Sequence, residues 1–140
     1  MIVVLDTGGV EGLAPIDQER RARLRLLRNQ ADDLVLPAAV LAESVLTGRA
    51  GRDYQVQRLL ELVRIVDVDA SMGHAAGALR RAAIDAGMKP PPSGVDTVVV
   101  AAADARATHD NVLIVTSDHG DFGILGSVSR NAARLSVLAV

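Results

Sequence analysis

Short β-branched runs alternate along this chain with longer segments of helical period, and that alternation selects a parallel sheet covered by helices. Ile2 to Leu5 reads as the first strand. Asp17 is placed to cap a helix through about Gln30, with Leu24, Leu27 and Ala31 on one face and Arg20, Arg21, Arg25 and Arg28 around the other. Leu34 to Leu36 forms a second short run, and Pro37 suits the first turn of a helix that reaches about Thr47 and stops at Gly48. A helix over Tyr54 to Val63 leads into a strand at Ile65 to Val68, and a further helical stretch covers Ser71 to Ala86. Pro90-Pro91-Pro92 cannot continue a helix and marks a loop. Ser93 opens the most apolar helix, Val95 to about Ala107. Val112 to Val115 is the clearest interior strand, a short helix follows Asp118, and Leu135 to Leu138 makes the last strand. The expectation is one α/β unit of five strands and about seven helices.

The 140 residues suit a single domain spanning 1–140, with one continuous core. With no cysteine, a thiolate metal site is excluded, so any bound metal is held by oxygen or imidazole. The first apolar run starts directly after Met1 and ends at Asp6, and no apolar stretch approaches 18 residues. A cytoplasmic protein with no membrane partner is expected. The formal charge of −2 gives no overall basic field, so any grip on nucleic acid must be local. Tyr54 and Phe122 are the only aromatics, which argues against modules that read unpaired bases by stacking.

The chemistry lies in the acids. In open parallel sheets the reactive crevice lies beyond the carboxyl ends of the strands, and Asp6 ends the first strand while Asp118 follows the fourth. Each is equally suited to capping a helix. Glu43 has Ala39, Val40 and Leu46 as its helical neighbours, so it projects from a largely apolar surface and calls for a partner. Asp96 sits three residues after Ser93, as in a capping box, and opens the apolar helix. Asp121 follows Asp118 by three, so both carboxylates can face one way on a helical turn. Two carboxylates 4 Å apart repel by about 1 kcal/mol in water and about 4 at an effective dielectric of 20, so a cluster of them needs a compensating cation or a raised pKa. An all-oxygen donor set points to Mg²⁺ or Mn²⁺.

A strand ending in Asp6-Thr7, then Leu36-Pro37-Ala38 to Ala42-Glu43, then Val95-Asp96-Thr97 with Ala101-Ala102-Ala103, and finally Val115-Thr116-Ser117-Asp118-His119-Gly120-Asp121-Phe122 together resemble the PIN-domain family from end to end. The resemblance implies a PIN-like three-layer sandwich with a central, mainly parallel five-stranded sheet flanked by helices. It further implies an endoribonuclease that uses Mg²⁺ or Mn²⁺, with Asp6, Glu43, Asp96, Asp118 and Asp121 in the catalytic site. Asp6, Asp96 and Asp118 would hold metal, and Thr116 would support them. Size and single-domain form resemble VapC-type toxins, commonly homodimers neutralised by a VapB-like antitoxin. Arg20, Arg21, Arg25 and Arg28 are candidate contacts to RNA. The chain departs from the family in having Gly8-Gly9 where a small polar residue usually stands, and in the proline run before Ser93. The alternatives are a non-catalytic PIN-like scaffold and a receiver-like signalling module.

Overall fold

A run of buried Val3, Val4 and Leu5 leaves no solvated face for its strand, so that strand belongs in the middle of a sheet with helices on both sides. The computed structural model, which describes residues 1–43 and 45–140, places it there. Strands β1 (Ile2–Leu5), β2 (Asp33–Pro37), β3 (Arg64–Val66), β4 (Val112–Thr116) and β5 (Leu135–Ala139) form one sheet in the order β3-β2-β1-β4-β5. Every pairing is parallel, with Leu5 opposite Val115 at the carboxyl end of the central pair. This order differs from the 2-1-3-4-5 order of receiver modules and removes that alternative.

Right-handed crossovers assign the helices to two layers. Helices α1 (Thr7–Leu13), α2 (Gln18–Gln30) and α3 (Ala50–Leu60) pack on one face, and α4 (Ala70–Asp85), α5 (Gly94–Ala107) and α6 (His119–Ser127) on the other. Short 3-10 helices cover Ala38–Glu43 and Ala132–Arg134. The architecture is therefore the expected three-layer sandwich. Helix α5 buries Val99, Val100, Ala102, Ala103 and Ala107 because it lies between the sheet and both α4 and α6. Phe122 and Leu125 of α6 close the same core, each contributing on the order of 1.5–3 kcal/mol through burial. Among the described residues no helix is long and apolar enough to cross a membrane.

Two segments depart from the sequence reading. The helix expected from Pro37 to about Thr47 is not found among the described residues: Pro37 closes β2 opposite Val66, and of the described residues only Ala38–Glu43 is helical, in 3-10 form. Ser44, within that expected helix, lies outside the described residues. Beyond it, the Asp53 carboxylate accepts from the backbone N–H groups of Thr47 and Gly48, and Gly48 adopts φ +81°, so the chain turns into α3 four residues earlier than Tyr54. Helix α1 had no helical pattern of its own in the sequence, because Gly8, Gly9 and Gly12 are poor helix formers. They serve close approach instead. A Cβ on Gly8 would overlap Ser117, one on Gly9 the Val115 carbonyl, and one on Gly12 the Val140 side chain. Glycine thus lets α1 lie directly against the end of β4.

Candidate active site

The chain runs from β1 outward to β2 and β3, then returns to the other side of β1 as β4 and β5. The gap beyond the ends of β1 and β4 is the topological switch point, where a crevice opens in folds of this kind. Asp6 stands at one lip of it and Thr116 at the other. Asp6 is almost fully buried, at 7% exposure, and both its oxygens are engaged. Oδ1 accepts from the Gly9 N–H at 2.5 Å, capping α1, and Oδ2 accepts from the Thr116 hydroxyl at 2.5 Å. The Thr116 oxygen in turn accepts from the Asp118 N–H at 3.0 Å, and Asp118 caps α6 by accepting from the Asp121 N–H at 3.1 Å. The capping and site readings of Asp6 and Asp118 are thus compatible, since each caps a helix from the rim of the same crevice.

Asp96 enters from the opposite helical layer. Ser93 caps α5 by accepting from the Asp96 N–H at 3.0 Å, and this cap holds Asp96 in the first turn despite the proline run before it. The Arg80 guanidinium donates to the Pro92 carbonyl at 3.1 Å and ties that run to α4. Glu43 reaches the crevice from the end of the 3-10 helix, where its Oε2 accepts from the Thr7 hydroxyl at 2.6 Å.

These acids lie within electrostatic reach of one another. Burial pushes the Asp6 carboxyl above its ordinary range, against the hydrogen bonds from Thr116 and Gly9, and the nearby Asp96 charge adds to the rise. Asp96 is pushed up first by burial and then by the charges of Glu43, Asp118 and Asp121, with the Ser93 hydroxyl opposing. All five sequence-selected acids therefore share one neighbourhood. Among the described residues no three of them stand close enough, as their side chains lie, to grasp a single ion. Glu43 and Asp118 are exposed and Asp121 is half-buried. The donor set is carboxylate throughout, which fits Mg²⁺ or Mn²⁺.

Asp104, on α5 with Asp96, plays no part. Its carboxylate accepts from the backbone and side-chain nitrogens of Asn131 and anchors the approach to β5. The arginines divide. Arg20 pairs with Asp17 at 3.5 Å, whereas Arg21, Arg25 and Arg28 line a groove of about 760 Å³ between α2 and α3. Arg58 of α3, not singled out in the sequence, completes that basic wall, with its guanidinium 6.0 Å from the Tyr54 ring. The contact of Thr7 with Glu43 was also not foreseen from the sequence. Adjacency to Asp6 was the available signal, but the partner of Thr7 lies 36 positions away.

No protein-family model matches the chain, and no curated protein matches it as a relative. Solved structures do. A chain of VapBC2 from Rickettsia felis, bound to a DNA fragment from their promoter, superposes with a TM-score of 0.71 at 20% identity, covering 99% of each chain. DNA-bound VapBC from Salmonella typhimurium gives 0.67 at 15% identity, with 98% of each chain covered. This chain has the PIN fold of the VapC toxins. A third PIN-fold structure is VapC20 of Mycobacterium tuberculosis, described as a sarcin-ricin loop cleaving toxin, with a TM-score of 0.56 at 21% identity over 86% of this chain and 92% of that one. The match to the first two extends over 98–99% of this chain.

Proposed function

We propose that the chain is a metal-dependent endoribonuclease acting in the cytoplasm as the toxin of a VapBC-type pair. The observation that carries this reading is the convergence at the β1/β4 switch point, where Asp6 is tied through the Thr116 hydroxyl to Asp118, and where Asp96 is raised first by burial and then by the charges of Glu43, Asp118 and Asp121. Such a cluster opposes folding unless a cation or a proton offsets its charge. Asp6, Asp96 and Asp118 would hold Mg²⁺ or Mn²⁺, which when bound makes a water more acidic and offsets charge on phosphate oxygens.

The protein's own groups do the rest. Thr116 and the Gly9 N–H fix the Asp6 carboxylate so that it needs no reorientation. Glu43, oriented by the Thr7 hydroxyl, and Asp121, at the rim, would contribute to the ion directly or through a held water, whose proton either carboxylate can accept as it attacks the scissile phosphate. Arg21, Arg25, Arg28 and Arg58 hold flanking phosphates by paired N–H donors, with Arg20 contributing less because Asp17 occupies it. A VapB-like antitoxin is the expected protein partner, supported by the likeness to chains from VapBC complexes, and a homodimer is the form that the sequence resemblance implies.

The test is a cleavage assay on total RNA with Mg²⁺ and with chelator, comparing the parent with Asp6→Asn. Cleavage by the parent in Mg²⁺ alone supports the reading. Undiminished cleavage by Asp6→Asn, or by the parent in chelator, contradicts it.

A further inference from the structure

Glu43 is the one acid of the site whose own backbone does not hold it. Asp6, Asp96 and Asp118 each sit at or beside a helix N-terminus with cap hydrogen bonds, and Asp121 follows in the first turn of α6. Glu43 instead stands exposed at the last position of a short 3-10 helix. A free glutamate side chain there would sample several rotamers, at an entropic cost of up to about 2 kcal/mol for fixing it in one. Like-charge repulsion from Asp96 would also drive it outward.

The side chain that meets it is Thr7, whose hydroxyl donates to Glu43 Oε2 at 2.6 Å. Thr7 follows Asp6 directly, and Asp6 is tied to β4 through Thr116. One dipeptide therefore joins β1, β4 and the 3-10 helix. The next residues along α1 carry no donor that could take its place. Gly8 and Gly9 have no side chain, and any Cβ on them would overlap Ser117 or the Val115 carbonyl. Val10 is apolar and fully buried.

We infer that Thr7 is a positioning residue for the acidic site, orienting Glu43 toward the crevice through its hydroxyl. The inference rests on the nuclease reading for its consequence in cleavage, but the orientation itself is testable by ion binding. Thr7→Val keeps the shape and removes the donor, Thr7→Ser keeps the donor, and Glu43→Ala removes the acceptor. We would measure Mn²⁺ binding by electron paramagnetic resonance, and single-turnover cleavage of total RNA, for the parent, Thr7→Val, Thr7→Ser, Glu43→Ala and Thr7→Val/Glu43→Ala, with Asp6→Asn as control.

The expected result is a loss of roughly tenfold in both readouts for Thr7→Val, the size of one hydrogen bond to a charged acceptor, with recovery in Thr7→Ser. In the Glu43→Ala background Thr7→Val should add nothing, because its route of action is gone. Unchanged Mn²⁺ binding in Thr7→Val, or an equal loss with and without Glu43, overturns the inference. A general structural role would instead lower the melting temperature of Thr7→Val alike in both backgrounds. If Asp6→Asn cleaves as well as the parent, the nuclease reading fails, and the Mn²⁺ comparison still decides the role of Thr7.

Discussion

Thr116 donates to Asp6 Oδ2 at 2.5 Å across 110 residues of sequence, and its same oxygen accepts from the Asp118 N–H. This fully buried hydroxyl couples the ends of β1 and β4 and sets the distance between two acids of the site. Thr116→Val retains the shape and strips both bonds. It should cost about 1–3 kcal/mol, since one buried carboxylate oxygen and one N–H lose their partner. Chemical denaturation measures this, and a loss below about 0.5 kcal/mol would mean that water replaces the hydroxyl freely.

Folding holds the Asp6 and Asp96 carboxyls above their ordinary value of 3.8, so the native state binds more protons than the unfolded chain between that value and the raised ones. Stability then falls as pH rises through this window. In metal-free protein, Asp96→Asn should therefore raise the melting temperature at neutral pH, while the gain should fade as pH drops toward 4. Thermal melts in chelator at a series of pH values give the answer, and a gain independent of pH would assign the effect to something other than charge.

Glycine at position 9 is a packing requirement. Ala is the better helix former by roughly 1 kcal/mol, but here its Cβ would overlap the Val115 carbonyl, and overpacking of backbone costs about 1–3 kcal/mol. Gly9→Ala should destabilise. At Gly51 of α3 nothing lies within 4 Å, so Gly51→Ala should stabilise by about 0.5–1 kcal/mol. Opposite signs in denaturant midpoints are the expected outcome, and two gains would show that α1 is not seated on β4.

Arg25 and Arg28 line the α2/α3 groove without an ion-pair partner among the described residues, whereas Arg20 is paired with Asp17. In an Asp6→Asn background that cannot cleave, Arg25→Gln and Arg28→Gln should each weaken RNA binding and reduce the slope of log K against log salt by about 0.7. Arg20→Gln should change it less. Fluorescence anisotropy over a salt series reads this, and equal slopes for all three would remove the groove from the RNA path.

The parallel sheet and the apolar α5 were legible because buried parallel strands and an all-round apolar helix leave runs that periodicity reveals. Asp6 and Asp118 stood out for the same reason, as polar stops on apolar runs. Helix α1 was not legible, since three glycines argue against a helix and their justification is contact with β4 and Val140. The segment after Glu43 reads as helix in periodicity alone, but Asp53 captures the Thr47 and Gly48 N–H groups from outside the segment. The Thr7–Glu43 pair and the contribution of Arg58 to the basic groove are tertiary facts with no local pattern to announce them.

In the proposed site, acids from separate elements share a cation. The most direct measurement is the shift in melting temperature on adding Mn²⁺ to the parent, Asp6→Asn and Asp96→Asn proteins. A rise with Mn²⁺ concentration in the parent, and little or none in either variant, is the expected result. No rise in the parent, or an equal rise in all three proteins, would contradict it.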